Sequence, residues 1–289
     1  MFNFRYFFCT LKVVVACLLI LANVSFSAKG QTPPCAVPHA LGKKLAARDA
    51  LNKGVQAFKK ANYDEAICYF QNATEMDAHL LIAKQYLGTA MAEKVVSGLD
   101  TPENLKTAQQ AIDIFQQYLE IRPHDVISIK WIAGIYFNIK KLDEAKAWQK
   151  KVLQEDPKDP EAAYTVGVID WTEAYQNTQA ALAPVGFNDD GEGNAGAPAE
   201  VMEKIKAQNG ALVEEGLEYL KQAVDNRPNY ADAMAYLNLM YRRKADLDWG
   251  NEAARKDDVA KAKEWQRKAM ETHKANEEKK SAGAESAKP

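Results

Sequence analysis

The sequence has no excess of charge of either sign. Its 289 residues include 37 lysines and arginines against 39 aspartates and glutamates, which gives a formal net charge of −2. Without the first 28 residues, which contain Arg5 and Lys12 but no acidic residue, 35 basic residues remain against 39 acidic ones. Because nucleic-acid binding requires a basic surface, this balance argues against a nucleic-acid partner.

Residues that typically carry catalysis or bind metals are also scarce. The chain has 4 histidines, which are scattered, and no cluster of histidine, cysteine and carboxylate has the spacing of a metal site. No serine or cysteine lies in the sequence context of a nucleophile elbow. We therefore predict that the protein is not an enzyme and that it has no catalytic residues, no cofactor and no metal site.

The acidic segment 188–192 is the place where this prediction has an alternative. Gly191–Gly196 matches the pattern of a dinucleotide-binding loop, but no predicted strand precedes it and its carboxylates would repel a pyrophosphate. The acids of 188–192 weakly resemble a calcium loop, but Ala199 stands where the bidentate acid is expected. We interpret the segment as a mobile loop tip, and a metal-binding or enzymatic module that uses it is the less favoured alternative.

One long apolar run occurs, Val13–Val24, and it follows Arg5 and Lys12. This arrangement is typical of a secretory signal peptide, which we predict over residues 1–28. The alternative is an uncleaved N-terminal anchor, although the run is short for a membrane span. The first interpretation predicts a periplasmic or secreted protein, and the second predicts a membrane-anchored protein that faces away from the cytoplasm.

The segment 29–46 is rich in proline and is predicted to be a linker. Cleavage of the signal peptide would leave two cysteines, Cys35 and Cys68. The sequence leaves open whether they form a disulfide in an oxidising compartment or remain free thiols.

An all-α fold is predicted, because alternating apolar and polar runs with β-turn signals are nearly absent. The segment Val126–Asp159 defines the structural unit: two apolar stripes with helical spacing, a polar turn between them, and Pro157 at the end of the second. The stripes consist of Ile129, Ile132, Ala133 and Tyr136, and of Leu142, Ala145, Trp148 and Val152. Two short amphipathic helices cannot shield each other's apolar faces, so such units must stack on neighbours.

Copies of this unit recur with a fixed spacing between them. The equivalent positions of one second helix and the next first helix are 66 and 88, 111 and 133, 145 and 167, and 216 and 238, always 22 residues apart. The additional residues fall inside the copies, because the turn between stacked units is fixed by packing while the turn within a unit faces solvent. We therefore predict that the extra chain lies along one edge of the stack.

The repeated pattern resembles the tetratricopeptide repeat family. The residues that match are Leu87-Gly88, Tyr136, Ala66 with Phe70, Ala111 with Phe115, and the prolines at 123, 157 and 228. The resemblance covers 47–270 and implies an α-solenoid of helix-turn-helix repeats that binds protein or peptide partners without a cofactor. The expected repeats are 47–80, 81–125, 126–159, 160–230 and 231–270.

Two segments are expected to depart from the regular solenoid. The longest insertion, 172–212, is predicted to be a helical hairpin that projects by about ten residues, or ~15 Å at the α-helical rise. The acidic segment 188–192 forms its tip. Residues 271–289 have almost no apolar side chains and are predicted to be a disordered, charged tail.

The resemblance also implies that the first helices line a concave groove. The candidate groove residues are Phe58, Lys130, Phe137, Asn138, Tyr164, Val168, Trp171, Arg242 and Arg243. An aromatic groove with a basic end would suit an extended or helical peptide of acidic character. We therefore predict an exported scaffold or adaptor that binds a partner segment, with envelope assembly as one process that it would serve.

Other interpretations of these residues stay open. The aromatic residues could instead pack the projecting hairpin, and the arginines could face the negative end of their own helix. Recognition could also use the hairpin edge, 172–212, rather than the groove. Contact with a membrane is expected only through an uncleaved N-terminal anchor.

Overall fold

The computed structural model describes Cys35 and residues 42–286, with side chains up to residue 282. It contains ten α-helices in these residues and no strand. They are α1 (Lys43–Lys59), α2 (Tyr63–Met76), α3 (Leu81–Ala92), α4 (Pro102–Leu119), α5 (Val126–Asn138), α6 (Leu142–Glu155), α7 (Pro160–Leu182), α8 (Ala199–Asn226), α9 (Ala231–Leu247) and α10 (Glu252–Ser286). A 3₁₀ turn, Ala183–Val185, follows α7. The predicted all-α fold is confirmed.

Three helices are capped at their N-termini by the side chain of the residue that precedes them. Thr101 accepts a hydrogen bond from the Asn104 amide at 3.4 Å, ahead of α4. Asp125 accepts one from the Ser128 amide at 2.8 Å, ahead of α5. Asp159 accepts one from the Ala162 amide at 2.9 Å, ahead of α7. Each cap satisfies an amide that would otherwise lack a partner in the first helical turn.

The helices pack as five antiparallel pairs that stack in chain order. Each odd-numbered helix packs on the even-numbered helix that follows it, and each pair packs on the next through α2–α3, α4–α5, α6–α7 and α8–α9. The first helices also touch in the pairs α1–α3, α3–α5 and α7–α9. Within the described residues no Cα atom of α5 lies within 8 Å of one in α7, so the surface built by the first helices is wider between them. This is the predicted α-solenoid.

The extra residues lie along one edge, as predicted. The Gly98 amide, in the turn between α3 and α4, donates to the Asn138 carbonyl at the end of α5 over 2.7 Å. In the same turn, Lys94 forms an ion pair with Asp64 at the start of α2. Turns within three successive repeats are therefore neighbours on the same side of the stack.

The predicted hairpin forms, but it does not project freely. Its two arms are the ends of α7 and α8, and they enclose a hydrophobic cluster of Leu182, Met202 and Ile205. Trp249, from the turn between α9 and α10, packs against this cluster. The hairpin therefore packs against the last repeat, because Trp249 covers part of the apolar cluster that α7 and α8 form between them.

The predicted disordered tail, 271–289, is corrected as far as residue 286, because α10 continues to Ser286. Charged side chains one turn apart support this extension: Arg267 pairs with Glu271 at 2.8 Å. The Asn276 side chain also donates to the carbonyl of Asn229, before α9, at 3.1 Å. Pairs of opposite charge at this spacing stabilise an exposed helix without apolar burial.

The start of the chain is described in part. The predicted signal peptide, 1–28, lies outside the described residues, as does most of the linker 29–46, in which α1 already begins at Lys43. Cys35 and Cys68 form a disulfide, with their Cα atoms 5.8 Å apart. Cys35 is buried, and its carbonyl accepts a hydrogen bond from the Asn72 side chain at 2.8 Å.

Candidate partner-binding groove

Three repeats share a tight contact between a glycine of the first helix and a large side chain of the second. A Cβ atom on Gly54 would lie 2.4 Å from the Phe70 ring, and one on Gly88 would lie 2.9 Å from the ring of Phe115. A Cβ on Gly167 would lie 2.4 Å from Leu220 Cγ. Because these distances leave no room for a methyl group, each pair of helices is packed as closely as its backbones allow.

The third repeat lacks this contact. Ala133 and Gln149 occupy the equivalent positions, so an amide replaces the large apolar side chain. Gln149 is half-buried and forms no hydrogen bond with another described residue. The next residue of α5, Gly134, has no atom within 4 Å of the position that a Cβ would take. The space beside Gly134 and Gln149 is therefore open.

A cavity of about 340 Å³ occupies this position. Its lining residues are Gly134, Phe137, Asn138, Gln149, Tyr164, Thr165, Val168 and Tyr236. They come from α5, α6, α7 and α9, and the cavity opens where α5 and α7 separate. Below, this cavity is called the Gln149 pocket.

Aromatic rings continue the surface of the Gln149 pocket along α7 and α9. The ring centroids are 5.0 Å apart for Tyr230 and Tyr164, 5.5 Å for Tyr164 and Tyr236, 5.4 Å for Tyr236 and Trp171, and 5.2 Å for Trp171 and Tyr175. We call these five residues the aromatic ladder. Tyr236 stands nearly perpendicular to both of its neighbours, with interplanar angles of 82° and 85°. The ladder ends at Tyr175, which is 39% exposed.

Three tyrosines of the ladder, Tyr164, Tyr230 and Tyr236, have a raised pKa and remain neutral over the physiological pH range. Burial raises the pKa of Tyr164, and the neighbouring Tyr236 and Tyr230 raise it further. Burial also raises the pKa of Tyr230, to about 12, although Arg227 opposes the shift. The pKa of Tyr236 is raised for the same reason, burial. Their hydroxyl groups are therefore available as hydrogen-bond donors as well as acceptors.

The structure brings five of the nine candidate groove residues to one surface. Phe137, Asn138, Tyr164 and Val168 line the Gln149 pocket, and Trp171 lies in the aromatic ladder. Phe137 is 38% exposed, so it is available for contact with a partner.

Two more candidate residues lie away from the pocket. Lys130 forms an ion pair with the buried carboxylate of Asp159, which caps α7. Although burial acts against it, the hydrogen bonds that Lys130 and the Ala162 amide donate lower the pKa of Asp159. Phe58 lies at the other end of the solenoid, where its ring packs edge-on against Tyr63 at 5.4 Å.

The arginines do not form an open basic end. Arg243 is 2% exposed and donates to both carboxylate oxygens of Asp189, at 2.9 and 2.7 Å. Arg242 donates to the carbonyl of Gly191 at 2.9 Å and to the side chain of Asn238 at 3.1 Å. The expectation that Arg243 offers a cation to a partner is therefore wrong, since its charge is already neutralised inside the protein.

The same contacts correct the expectation of a mobile acidic tip. Residues 187–196, here called the acidic loop, fold onto α9 and α10. Asn194 is buried with a positive φ of 49°, and its side-chain amide donates to Asp246 at 2.8 Å and to Asp189 at 3.1 Å. Arg255 donates to the Glu192 carbonyl at 2.6 Å. The loop is thus held by polar contacts along its length.

Opposite pKa shifts occur in the two acids beside Arg243. Although burial favours the neutral form, the Arg243 guanidinium lowers the pKa of Asp189. Burial raises the pKa of Asp246 to about 7, against the effect of Arg243 and with a contribution from Asp189. Asp246 Oδ2 is buried and lies 3.1 Å from Arg243 Nη1, an ion pair whose geometry does not make a hydrogen bond.

Sequence reasoning missed Gly134, Gln149 and Tyr236. Gln149 carries a usable signal, because an amide stands where the first, second and fourth copies have phenylalanine or leucine; the fifth copy, at the end of the stack, also has an amide there, Gln266. Gly134 carries none, because its importance depends on the separation of α5 from α7.

Within the described part of the chain, no group of three or more histidine, cysteine or acidic side chains is arranged to hold a metal ion. The same residues include no helix with both the length and the hydrophobicity needed to cross a membrane. The acidic loop instead uses its carboxylates for contacts with α9 and α10.

Comparisons with known proteins agree with the architecture. A family model described as tetratricopeptide repeat matches residues 105–167. No curated protein matches the sequence. Solved structures with a similar fold include the MamA RS-1 ArsTM double mutant, which is 19% identical, covers 80% of this chain and 96% of its own, and has a TM-score of 0.53.

MamA 41-end from Desulfovibrio magneticus RS-1 is also 19% identical, covers 79% of this chain and 96% of its own, and has a TM-score of 0.52. A further MamA structure is 12% identical, covers 80% of this chain and 94% of its own, with a TM-score of 0.52. At these identities the likeness concerns the fold. The family model thus identifies tetratricopeptide repeats over residues 105–167, and the solved structures share the α-solenoid fold of the described residues.

Proposed function

We propose that the protein is a non-enzymatic scaffold that binds a segment of another protein in the groove formed by the first helices. The observation that carries this proposal is the Gln149 pocket. It brings the exposed ring of Phe137 and the side-chain amides of Asn138 and Gln149 next to the aromatic ladder. A cavity of this size with aromatic walls and a few polar groups is typical of a binding site rather than of a packing defect.

The groove is a better candidate than the hairpin edge. Two acidic side chains at the tip of the edge are already paired: Asp189 with Arg243, and Glu192 with Lys263 at 3.3 Å. By contrast, the amides of Asn138 and Gln149 have no partner among the described residues. Unused hydrogen-bonding groups beside exposed rings favour the groove as the surface that meets a partner.

We further propose that the protein acts outside the cytoplasm, as the predicted signal peptide implies. The Cys35–Cys68 pair supports this location, because disulfides persist in oxidising compartments and are rare in the cytosol. A retained N-terminal anchor would give the same orientation. Envelope assembly is a process in which such an exported scaffold would serve.

A pair of substitutions at one position tests the groove. In Gly134→Leu, the new side chain extends into the Gln149 pocket without a clash at its Cβ. In Gly134→Ala, the added methyl group leaves most of the pocket open, so this variant is the matched control. We expect capture of the partner from envelope extract to fall at least tenfold for the leucine variant and to remain for the alanine variant.

Equal capture by both variants, with equal thermal stability, would contradict groove binding. Deletion of the hairpin tip tests the alternative surface: loss of capture in that variant alone would assign recognition to the edge. Fractionation of cells, with N-terminal sequencing of the mature protein, distinguishes a cleaved signal peptide from a retained anchor.

A further inference from the structure

The aromatic ladder contains hydrogen-bond donors that the protein does not use. Within the described residues, the side chains of Tyr164, Tyr236 and Trp171 form no hydrogen bond with another residue, and neither do the ladder ends Tyr230 and Tyr175. Half-buried tyrosine and tryptophan side chains usually find a partner for their polar atoms. The ladder therefore has a row of donors, set between aromatic faces, that are free to bond a ligand that supplies acceptors.

Charge lies only at the margin of the surface around these donors, where the Asp232 carboxylate acts on Tyr164, Tyr230 and Tyr236. None of the eight residues that line the Gln149 pocket carries a charge. At one end of the ladder, Arg227 lies 4.6 Å from the Tyr230 ring but pairs with Glu161 at 3.2 Å. At the other end, Arg243 lies 5.8 Å from the Tyr175 ring but pairs with Asp189. The lining therefore offers no cation to an acidic segment, so we base the choice of ligand on hydrogen bonding and ring packing.

The spacing of the rings adds a geometric condition. Tyr164 and Trp171, the rings on either side of Tyr236, stand seven residues apart on α7, which separates their Cα atoms by roughly 10.5 Å at the α-helical rise. This separation is close to the ~9 Å turn of a polyproline II helix, which has three residues per turn and a rise of ~3.1 Å. One face of such a helix would meet every second ring of the ladder.

Proline matches the hydrogen-bonding character of the ladder better than other residues. A proline residue has a carbonyl acceptor but no backbone N–H donor. The carbonyl groups of a polyproline II helix are free, because the helix has no internal hydrogen bonds. Its flat rings also pack against aromatic faces, and its stiffness reduces the entropy lost on binding.

We propose that the aromatic ladder and the Gln149 pocket bind a proline-rich segment in the polyproline II conformation. The proposal rests on the groove function and specifies its ligand. The tyrosine, tryptophan and amide side chains donate to the carbonyl groups of the segment, and its rings pack between Tyr164, Tyr236 and Trp171.

The test uses the full mature chain and a labelled oligoproline of about ten residues, long enough at ~3.1 Å per residue to span the ladder. Fluorescence anisotropy measures the dissociation constant. Peptides of the same length made of glycine and serine, of glutamate-rich sequence, and of an amphipathic helix serve as competitors. We expect the oligoproline to bind and the other three to bind at least tenfold more weakly.

Two substitutions that keep the ring and remove one donor test the hydrogen bonds. Tyr236→Phe and Tyr164→Phe are each expected to weaken oligoproline binding about two- to tenfold, the range for one hydrogen bond. Tyr86→Phe is the control, because Tyr86 stacks on Phe70, away from the ladder. Gly134→Leu is expected to weaken binding by more than tenfold, because it fills the pocket.

Failure to bind oligoproline at millimolar concentration, equal binding of the glycine–serine peptide, or binding that Gly134→Leu leaves unchanged would each overturn the proposal. If oligoproline fails while capture of an envelope partner still depends on residue 134, the groove function stands and the ligand class is wrong. If neither depends on residue 134, both proposals are wrong.

Discussion

The second and third repeats are built from helix pairs of the same kind, but they differ in what separates the two helices. In the second, Gly88 lies against the ring of Phe115, which is fully buried. In the third, Ala133 and Gln149 take these positions and the Gln149 pocket opens beside them. One polar side chain at a core position thus converts a repeat that contributes only packing into one that offers a cavity.

The largest expected difference comes from truncation of the equivalent side chains. Phe115→Ala should lower the free energy of unfolding by about 3–5 kcal/mol, because it leaves a large cavity in a closed core. Gln149→Ala should lower it by less than about 1 kcal/mol, since the amide already borders open space and forms no hydrogen bond with a described residue. Chemical denaturation of both variants measures the two values, and a similar loss in both would show that the third repeat is closed in solution.

Replacement of a glycine by alanine should lower the stability of the protein in one repeat and raise it in the neighbouring one. Gly167→Ala should destabilise the protein by about 1–3 kcal/mol, because the new Cβ meets Leu220 and the carbonyl of Gly216. Gly134→Ala should stabilise it by about 0.5–1 kcal/mol, because alanine favours the helix and the site is open. Thermal unfolding distinguishes the two signs, and a stable Gly167→Ala variant would contradict the close approach of α7 and α8.

The pH dependence of stability separates the acidic loop from the groove. The pKa of Asp246 is raised by burial to about 7 in the folded protein, so ionisation destabilises the fold increasingly as the pH rises from near 4 to about 7. The native chain should therefore lose about 1–2 kcal/mol more stability than Asp246→Asn between roughly pH 5 and pH 8. Asp189 adds no pH dependence between pH 5 and pH 8, because its lowered pKa keeps it ionised there. Its effect on stability is confined to pH values near and below 4.

Melting temperatures at both pH values test this prediction. Parallel changes in the native chain and the variant would show that Asp246 does not ionise in the folded protein over that interval. Tyr86→Phe, distant from the loop, should follow the native chain and serves as the control.

A small change in stability is also expected when the third repeat is given the pattern of the second. Ala133→Gly combined with Gln149→Phe should alter the free energy of unfolding by less than about 1.5 kcal/mol, because the ring fills space that the glycine provides. The Gln149 pocket should disappear, and binding of a groove ligand should fall with it. Crystallography of the double variant checks the closure, and retained binding would locate the ligand elsewhere.

The regular part of this architecture could be predicted from the sequence because it is set by local pattern. Stripes such as Ile129, Ile132 and Tyr136, together with the constant step between copies, fix the helix pairs and their order. The groove surface could be predicted in part for the same reason: Phe137 and Tyr164 occupy equivalent faces of successive first helices.

The remaining features depend on contacts between distant residues. Asp189 and Arg243 are 54 residues apart, and no local pattern signals that they pair. The opening beside Gly134 depends on the separation of two whole helices. The continuation of α10 past Met270 was missed because charged residues without apolar neighbours also occur in disordered tails.

The acidic loop has a consequence for how this protein comes apart. In a stack where each repeat touches only its neighbours, an end can fray one repeat at a time. Here the Asp189–Arg243 pair and the packing of Trp249 fasten the fourth repeat to the far end of the fifth. The last two repeats should therefore unfold in a single cooperative step. A force applied to the opposite end should instead unfold one helix pair at a time.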